Sequence, residues 1–323
     1  MEAALAELLT RKNEMRVTLM HNPKAGRGKH DKKKLLKSLA RAGHQSRYQS
    51  IKSKRWKKAL HKKTDLVLAG GGDGATAKVA ARLLDTGVPL AILPLGTANN
   101  LARTLGFCDS PKKIIGDLDR GKKRALDVGV AHGPWGKRPF FEGTGAGLLA
   151  EYVRQADEEE KKQKKKNRKQ KKSSNEQELT RHLIRLRRKL HDYPAQEWKM
   201  KLDGKDISGR YILWEAMNIR SVGPALYLAP WAATRDGELD FVAVREEDRA
   251  ILLKHLDARI AGRKSEFPLP VATFRELAVK WETAAIHVDD EIWPEKKKNR
   301  KKPAKITIRV KPSALVILQP PQA

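Results

Sequence analysis

Four glycines and an aspartate, Gly70-Gly71-Gly72-Asp73-Gly74, stand between an apolar run, Asp65–Ala69, and a helical segment, Ala75–Leu84. No other stretch constrains the chain as much. Glycines at a strand-to-helix turn let the backbone take φ > 0 and approach a ligand without side-chain interference. The helix N-terminus behind them offers unpaired N–H groups and a positive dipole end, which suits phosphate. An aspartate has no place in a loop that only cradles an anion. It fits a loop that also handles Mg²⁺ or a hydroxyl proton. Taken alone, the pentapeptide reads equally well as a tight turn with a polar tip.

The same grammar recurs on both sides. A strand over Met15–Met20 runs into His21-Asn22-Pro23-Lys24-Ala25-Gly26-Arg27-Gly28-Lys29, a second glycine-rich, basic turn. A helix over Lys32–Arg41 carries Leu35, Leu36 and Leu39 on one face. A short strand, Arg47–Ile51, and a basic helix, Lys54–Lys62, precede the glycine loop. After it, the strand Pro89–Leu93 ends in Pro94-Leu95-Gly96-Thr97-Ala98-Asn99-Asn100, and Leu101–Leu105 continues as helix. Strands alternating with helices imply a parallel sheet covered on both faces. Loops at its strand ends are where open α/β sheets take ligands.

Near Leu126 the pattern turns β-rich. Strands are expected over Asp127–Ala131, Arg138–Phe141, Glu197–Leu202, Arg210–Met217, Ala225–Leu228, Leu239–Val244, Thr273–Trp281 and Ala285–Val288. A helix is expected over Asp248–Ala261, and closing strands over Lys305–Val310 and Ala314–Leu318. Gly143–Gly147 reads as another close-approach turn. At 323 residues, two domains are the prior. The first spans 15–125 and is completed by about 304–323; the second spans 126–303 and carries a Lys-rich helical insert over 154–191.

A formal charge of +30 predicts attraction to something anionic. The insert holds nine Lys/Arg in the twelve positions Lys161–Lys172, with Glu158/Lys162 and Glu160/Lys164 as favourable i,i+4 pairs. A second basic run is Lys296–Lys302. The insert reads as a merely solvated segment, as a contact for an anionic membrane surface, or as an RNA contact; no aromatic residue interleaves with either run, which argues against a stacking platform for single strands. A single cysteine, Cys108, excludes an intrachain disulfide and fits a reducing compartment. No apolar run approaches the ~18–20 residues that span a bilayer. Met1–Glu14 reads as a short amphipathic helix without signal-peptide features. A cytoplasmic protein, peripheral to the inner membrane face, is the expectation. His21, His30, His44, His61 and His287 lack metal-ligand spacing and read as core or solvated residues. Trp198, Trp214, Trp231, Trp281 and Trp293 read as packing, or as the rim of a lipid-entry cleft.

Together the loops resemble the diacylglycerol kinase catalytic family, in its bacterial lipid kinase branch. The match runs through Asn22-Pro23-Lys24-Ala25-Gly26, Gly71-Gly72-Asp73-Gly74 and Leu93–Ala102. Pro230–Asp240 and Val288-Asp289-Asp290-Glu291 continue it in order. The resemblance implies an N-terminal three-layer α/β nucleotide-binding domain plus a C-terminal antiparallel β-sandwich domain, with the active site in the cleft. It implies ATP on Asn22, Ser50, Gly71, Gly72, Asp73, Gly74, Thr76 and Thr97, and a lipid alcohol, diacylglycerol or a relative, as acceptor. A weakly nucleophilic alcohol needs a carboxylate to take its proton. The resemblance gives that role to Glu291, with Asp73 as second choice. Asp289 and Asp127 complete an acidic network around Mg²⁺, and Asp236 with the carbonyls of Ala233 and Glu238 forms a structural Mg²⁺ site. The chain departs from the family at Ala75, Asn100, Asp290 and Glu142. Those departures motivate a competing reading, a degenerate kinase fold serving as nucleotide sensor or membrane-binding module. The shared Gly-Gly-Asp-Gly motif motivates another, an NAD kinase-like enzyme.

Overall fold

The computed structural model describes residues 14–28, 30–165, 174–263, 265–282, 284–294 and 303–321. Met1–Asn13, most of the Lys161–Lys172 run and the Lys296–Lys302 run lie outside them, and the two expected Glu/Lys pairs of the insert rest on Glu160, Lys162 and Lys164, whose side chains are outside the description. The chain divides into two units, Met1–Ala125 with Leu315–Ala323, and Leu126–Ala314.

In the first unit β3 (Leu66–Gly71) is buried at every position, so it needs neighbours on both edges and cover on both faces. It pairs in parallel with β1 (Arg16–His21) and with β4 (Leu90–Pro94). β1 also pairs with β2 (Gln45–Ser50), and Ile317 of the last strand pairs with Leu90. The order is last strand, β4, β3, β1, β2. The Lys32–Arg41 helix starts where Asp31 accepts from the Lys33 N–H, and it buries Leu35 and Leu39. The basic segment expected as a helix over Lys54–Lys62 is a 3-10 helix over Trp56–His61, and the side chain before it makes no capping bond.

The second unit is built from antiparallel strands. Gly209–Met217 is its spine, pairing with Gly143–Gly147, Gln196–Leu202 and Leu239–Arg245. Glu276–Trp281 pairs with Gln196–Leu202 and with the first half of the long strand Ala304–Gln319. One core, with Trp198, Trp214, Phe241, Phe274 and Trp281, lies between strands. Another packs Leu183, Leu186 and Leu190 of the Asn175–Asp192 helix and Leu252 and Leu256 of the Arg249–Ile260 helix against Ile212, Val242 and Val244.

Three expectations need correction. Gly143–Gly147 is not a turn but a fully buried strand paired on both edges. Its glycines leave room for neighbours: a Cβ on Gly145 would sit 2.4 Å from the Glu215 carboxyl carbon. The two closing strands are one, and Ser313, at φ 52, bends it without breaking it. The return to the first unit begins at Leu315 rather than near residue 304, because Ala304–Arg309 is held by Glu276–Trp281.

Candidate functional site

The strand order of the first unit reverses between β1 and β3, and ligands enter open α/β sheets at such a point, beyond the carboxyl ends of the strands. Asn22 follows β1, and its N–H donates to the Gly70 carbonyl at 2.8 Å. The Leu95 N–H, just after β4, donates to the Gly71 carbonyl at 2.9 Å. The loops after β1, β3 and β4 are thereby tied into one rim. Gly72 and Gly96 meet backbone to backbone: a Cβ on Gly96 would lie 2.4 Å from the Gly72 Cα. The Asp73–Ala80 helix starts at this rim, with Gly72 as its extended cap residue.

Side chains fix the rim from behind. Asn99 sits in the left-handed region at φ 53. Its Oδ1 accepts from the Gly96 N–H at 2.9 Å, and its Nδ2 donates to the Gly96 carbonyl at 3.0 Å. The Asp73 Oδ1 accepts from the Leu101 N–H at 3.1 Å, joining the glycine loop to the next helix. Thr76 is buried and donates to the Gly72 carbonyl at 3.1 Å, closing the first helical turn. Ser50 ends β2 opposite His21, and its Oγ accepts from the Lys52 N–H at 3.2 Å. The structure thus brings Asn22, Ser50, Gly71–Gly74 and Thr97 to one end of one sheet. His21 belongs there too. It is buried, its Nε2 has no partner among the described residues, and burial followed by the charge of His30 pushes its pKa down. Its place as the last residue of a buried strand was the available signal.

The acidic residues of the second unit fall into three groups. The Asp289 carboxylate accepts from the N–H groups of Phe141, Glu142 and Gly143 at 2.8–3.3 Å, and its own N–H donates to the Gly143 carbonyl. Asp289 takes φ 49, in the left-handed region. Burial pushes its carboxyl up to about 7, against the amides that hold it down. Two residues on, Glu291 is exposed and pairs with Arg138 at 2.8 Å, a partner that sequence spacing did not suggest. Asp127 is buried with both oxygens engaged, Oδ2 by the Gly237 N–H at 2.8 Å and Oδ1 by the Ser313 N–H at 2.7 Å. Its carboxylate pins the turn that carries Asp236, whose Oδ1 accepts from the Glu238 N–H at 3.1 Å.

Asp240, four residues after Asp236, was not singled out in the sequence. It is 6% exposed, and burial, then Asp236 and Glu238, pushes its pKa up to about 7. Among the described residues, no group of three His, Cys, Asp or Glu side chains is placed to hold a metal ion. The raised pKa sets a test. An unfolded aspartate titrates near ~3.9, so the stability Asp240 lends when protonated is complete below that value and is lost as pH rises through about 7. With divalent cations chelated, Asp240→Asn should therefore melt increasingly above the wild type from about pH 4 to about pH 7, by up to ~4 kcal/mol, and hold that gain beyond. Parallel melting curves at all pH values would show that the burial does not act on this carboxyl.

Comparison with known proteins places these features in a lineage. Residues 16–131 match the diacylglycerol kinase catalytic domain, and residues 164–319 match the YegS C-terminal NAD kinase beta sandwich-like domain. A diacylglycerol kinase of Bacillus subtilis is 24% identical over 257 residues, 76% of this chain and 79% of that protein. One from Mycobacterium tuberculosis is 26% identical over 232 residues, 71% of each. A crystal structure of a diacylglycerol kinase from Bacillus anthracis superposes with a TM-score of 0.66 over 96% of this chain and 99% of that one, at 18% identity. Another structure from the same organism reaches 0.70 at 21% identity, covering 97% and 98%. The structural likenesses speak for the fold.

Proposed function

We propose that this chain is a lipid-alcohol kinase of the diacylglycerol kinase catalytic family, whose domain its residues 16–131 match, and that it transfers the γ-phosphoryl group of ATP to diacylglycerol or a close relative with the help of Mg²⁺. One observation carries the reading: three strand-end loops meet at the switch point, with the glycine backbones of Gly72 and Gly96 packed directly against each other. Phosphoryl transfer asks a protein mainly for positioning and charge neutralisation. The amides of Gly71–Gly74 and the helix end behind them bind phosphate. Asn22, Ser50 and Thr97 orient the nucleotide, and Thr76 supports the loop from within.

Oxygen donors around Asp236 suit a hard dication. The uncompensated repulsion that Asp240 suffers from Asp236 and Glu238 is what such an ion would relieve. Asp236 and the carbonyls of Ala233 and Glu238 would hold it there, and in the first unit Asp73 would border a metal at the phosphates. When bound, Mg²⁺ supplies neutralisation of the phosphate charge. Glu291 takes the proton of the attacking hydroxyl, and Arg138 holds its carboxylate in place. Asp127 and Asp289 shape the turns on either side by their amide bonds. Trp231, 82% exposed, is the tryptophan of the second unit most open to lipid; Trp198, Trp214 and Trp281 are core. No helix among the described residues is long and apolar enough to cross a membrane, so contact with the anionic bilayer is peripheral in this reading.

The test is lipid-dependent transfer from γ-labelled ATP with Mg²⁺ present. Glu291→Gln should lower kcat by about 10²–10⁴-fold with little change in the KM for ATP. Asp73→Asn should raise that KM. Full activity in Glu291→Gln would move the base elsewhere, and label on NAD⁺ rather than lipid would overturn the substrate class.

A further inference from the structure

From Lys24 to Lys63 the chain carries sixteen Lys/Arg and one acid, Asp31, and that acid is spent on capping a helix. The densest part is Ile51–Lys63, Ile-Lys-Ser-Lys-Arg-Trp-Lys-Lys-Ala-Leu-His-Lys-Lys, seven cations in thirteen residues with no acid. Lys52, Lys54, Arg55, Lys57, Lys58, Lys62 and Lys63 are all exposed, and none is ion-paired to a described carboxylate. Between them Ile51, Trp56 and Leu60 are half-buried, leaving apolar surface among the charges. The position is specific. β2 is the terminal strand of its sheet, and the Ile51 N–H donates to the His21 carbonyl at 3.0 Å. The basic segment therefore leaves the sheet at the end where the Asn22 and Gly70–Gly74 loops gather, and it returns to the opposite end, where the Asp65 N–H donates to the Arg16 carbonyl at 2.9 Å.

We infer that Ile51–Lys63 is a docking surface for an anionic phospholipid bilayer, which brings the rim of the first unit to the membrane. The choice of a bilayer over other polyanions rests on the lipid kinase reading. Cations flanking a tryptophan suit a headgroup layer: the charges meet anionic lipid, and the indole sits at the boundary of the acyl region. A stacking surface for single-stranded nucleic acid would interleave several aromatic rings, and this segment has one.

The experiment is co-sedimentation of the full chain with vesicles of pure phosphatidylcholine and of equimolar phosphatidylcholine and phosphatidylglycerol. Beside it run the triple variant Lys54→Gln, Lys57→Gln, Lys58→Gln and a second variant, Trp56→Ser. The wild type should bind only the anionic vesicles, and more weakly as salt rises. The triple variant should bind them about a hundred-fold more weakly. Trp56→Ser should bind weakly at any salt, and both should melt close to the wild type. Transfer to a short-chain diacylglycerol without vesicles should be unchanged, including its KM for ATP. Wild-type vesicle binding in the triple variant would overturn the proposal, assigning any membrane contact to the other basic runs. So would a raised KM for ATP with unchanged vesicle binding, which would make these lysines nucleotide contacts. Tighter binding to a single-stranded RNA oligonucleotide, lost in the same variant, would replace the bilayer by nucleic acid. A wild type that binds vesicles but labels no lipid would sink the kinase reading and leave the docking surface standing.

Discussion

Glu215→Ala should cost the protein about 3–5 kcal/mol, because it leaves a charge-bearing imidazole buried without its partner. Glu215 and His287 are both fully enclosed, and His287 Nε2 lies 2.9 Å from each Glu215 oxygen. On its other side, Nδ1 is 3.0 Å from the Asp289 carbonyl, which can only accept, so Nδ1 carries a hydrogen. The contact to Glu215 therefore holds one shared proton, either as imidazolium with carboxylate or as neutral imidazole with carboxylic acid. Burial presses the imidazole towards neutrality, but Glu215 outweighs it and keeps the pKa above the ordinary value, while burial raises that of Glu215. Glu215→Gln keeps the shape and can donate to Nε2, so it should cost far less than Glu215→Ala. Thermal melting followed by tryptophan fluorescence is suited to this, since six of the seven tryptophans lie in the second unit. A drop on the order of 10 °C is expected for Glu215→Ala. If Glu215→Ala and Glu215→Gln melt together with the wild type, the pair contributes nothing to stability.

This pair also marks the limit of what the sequence discloses. Leu66–Gly71 is legible because a central parallel strand must be apolar throughout, and the glycine loop after it is legible because few other jobs need so many glycines. Glu215 lies in the otherwise hydrophobic run Tyr211–Met217, and its partner is 72 positions away. Nothing local announces the bond, so His287 read only as a core or solvated residue. Gly143–Gly147 failed for a related reason. Glycine reads as turn, but here the missing side chains make room for the Glu215 side chain and for the strand backbone. Asp240 was passed over because a carboxyl's pKa depends on what covers it, which no spacing rule reports. The motif carrying Asp289 and Glu291 was legible through its resemblance to known kinases. The division of labour inside it was not: one carboxylate clamps three amides, and the other stands exposed beside Arg138.

Gly96→Ala should abolish most of the kinase activity while leaving the chain folded. The new methyl carbon would stand 2.4 Å from the Gly72 Cα and 2.9 Å from the Asn99 Oδ1. The first neighbour is backbone and cannot swing aside. The loops after β3 and β4 must therefore part, or the Asn99 clasp on Gly96 must open. Overpacking of this kind costs about 1–3 kcal/mol, which a chain of this size survives. The functional cost is larger, because the displaced amides are those proposed to meet phosphate, and a misplacement of about 1 Å at a reacting centre costs on the order of 10²-fold. The control is Gly116→Ala. Gly116 closes the Pro111–Gly116 helix with no atom within 4 Å of its added Cβ and no positive φ, so alanine there should be neutral or slightly stabilising. Binding of ATP by calorimetry and lipid phosphorylation should both fall in Gly96→Ala and neither in Gly116→Ala. Unchanged ATP affinity in Gly96→Ala would mean that the phosphates do not rest on the Gly72–Gly96 contact, and the nucleotide would have to be placed elsewhere on the rim.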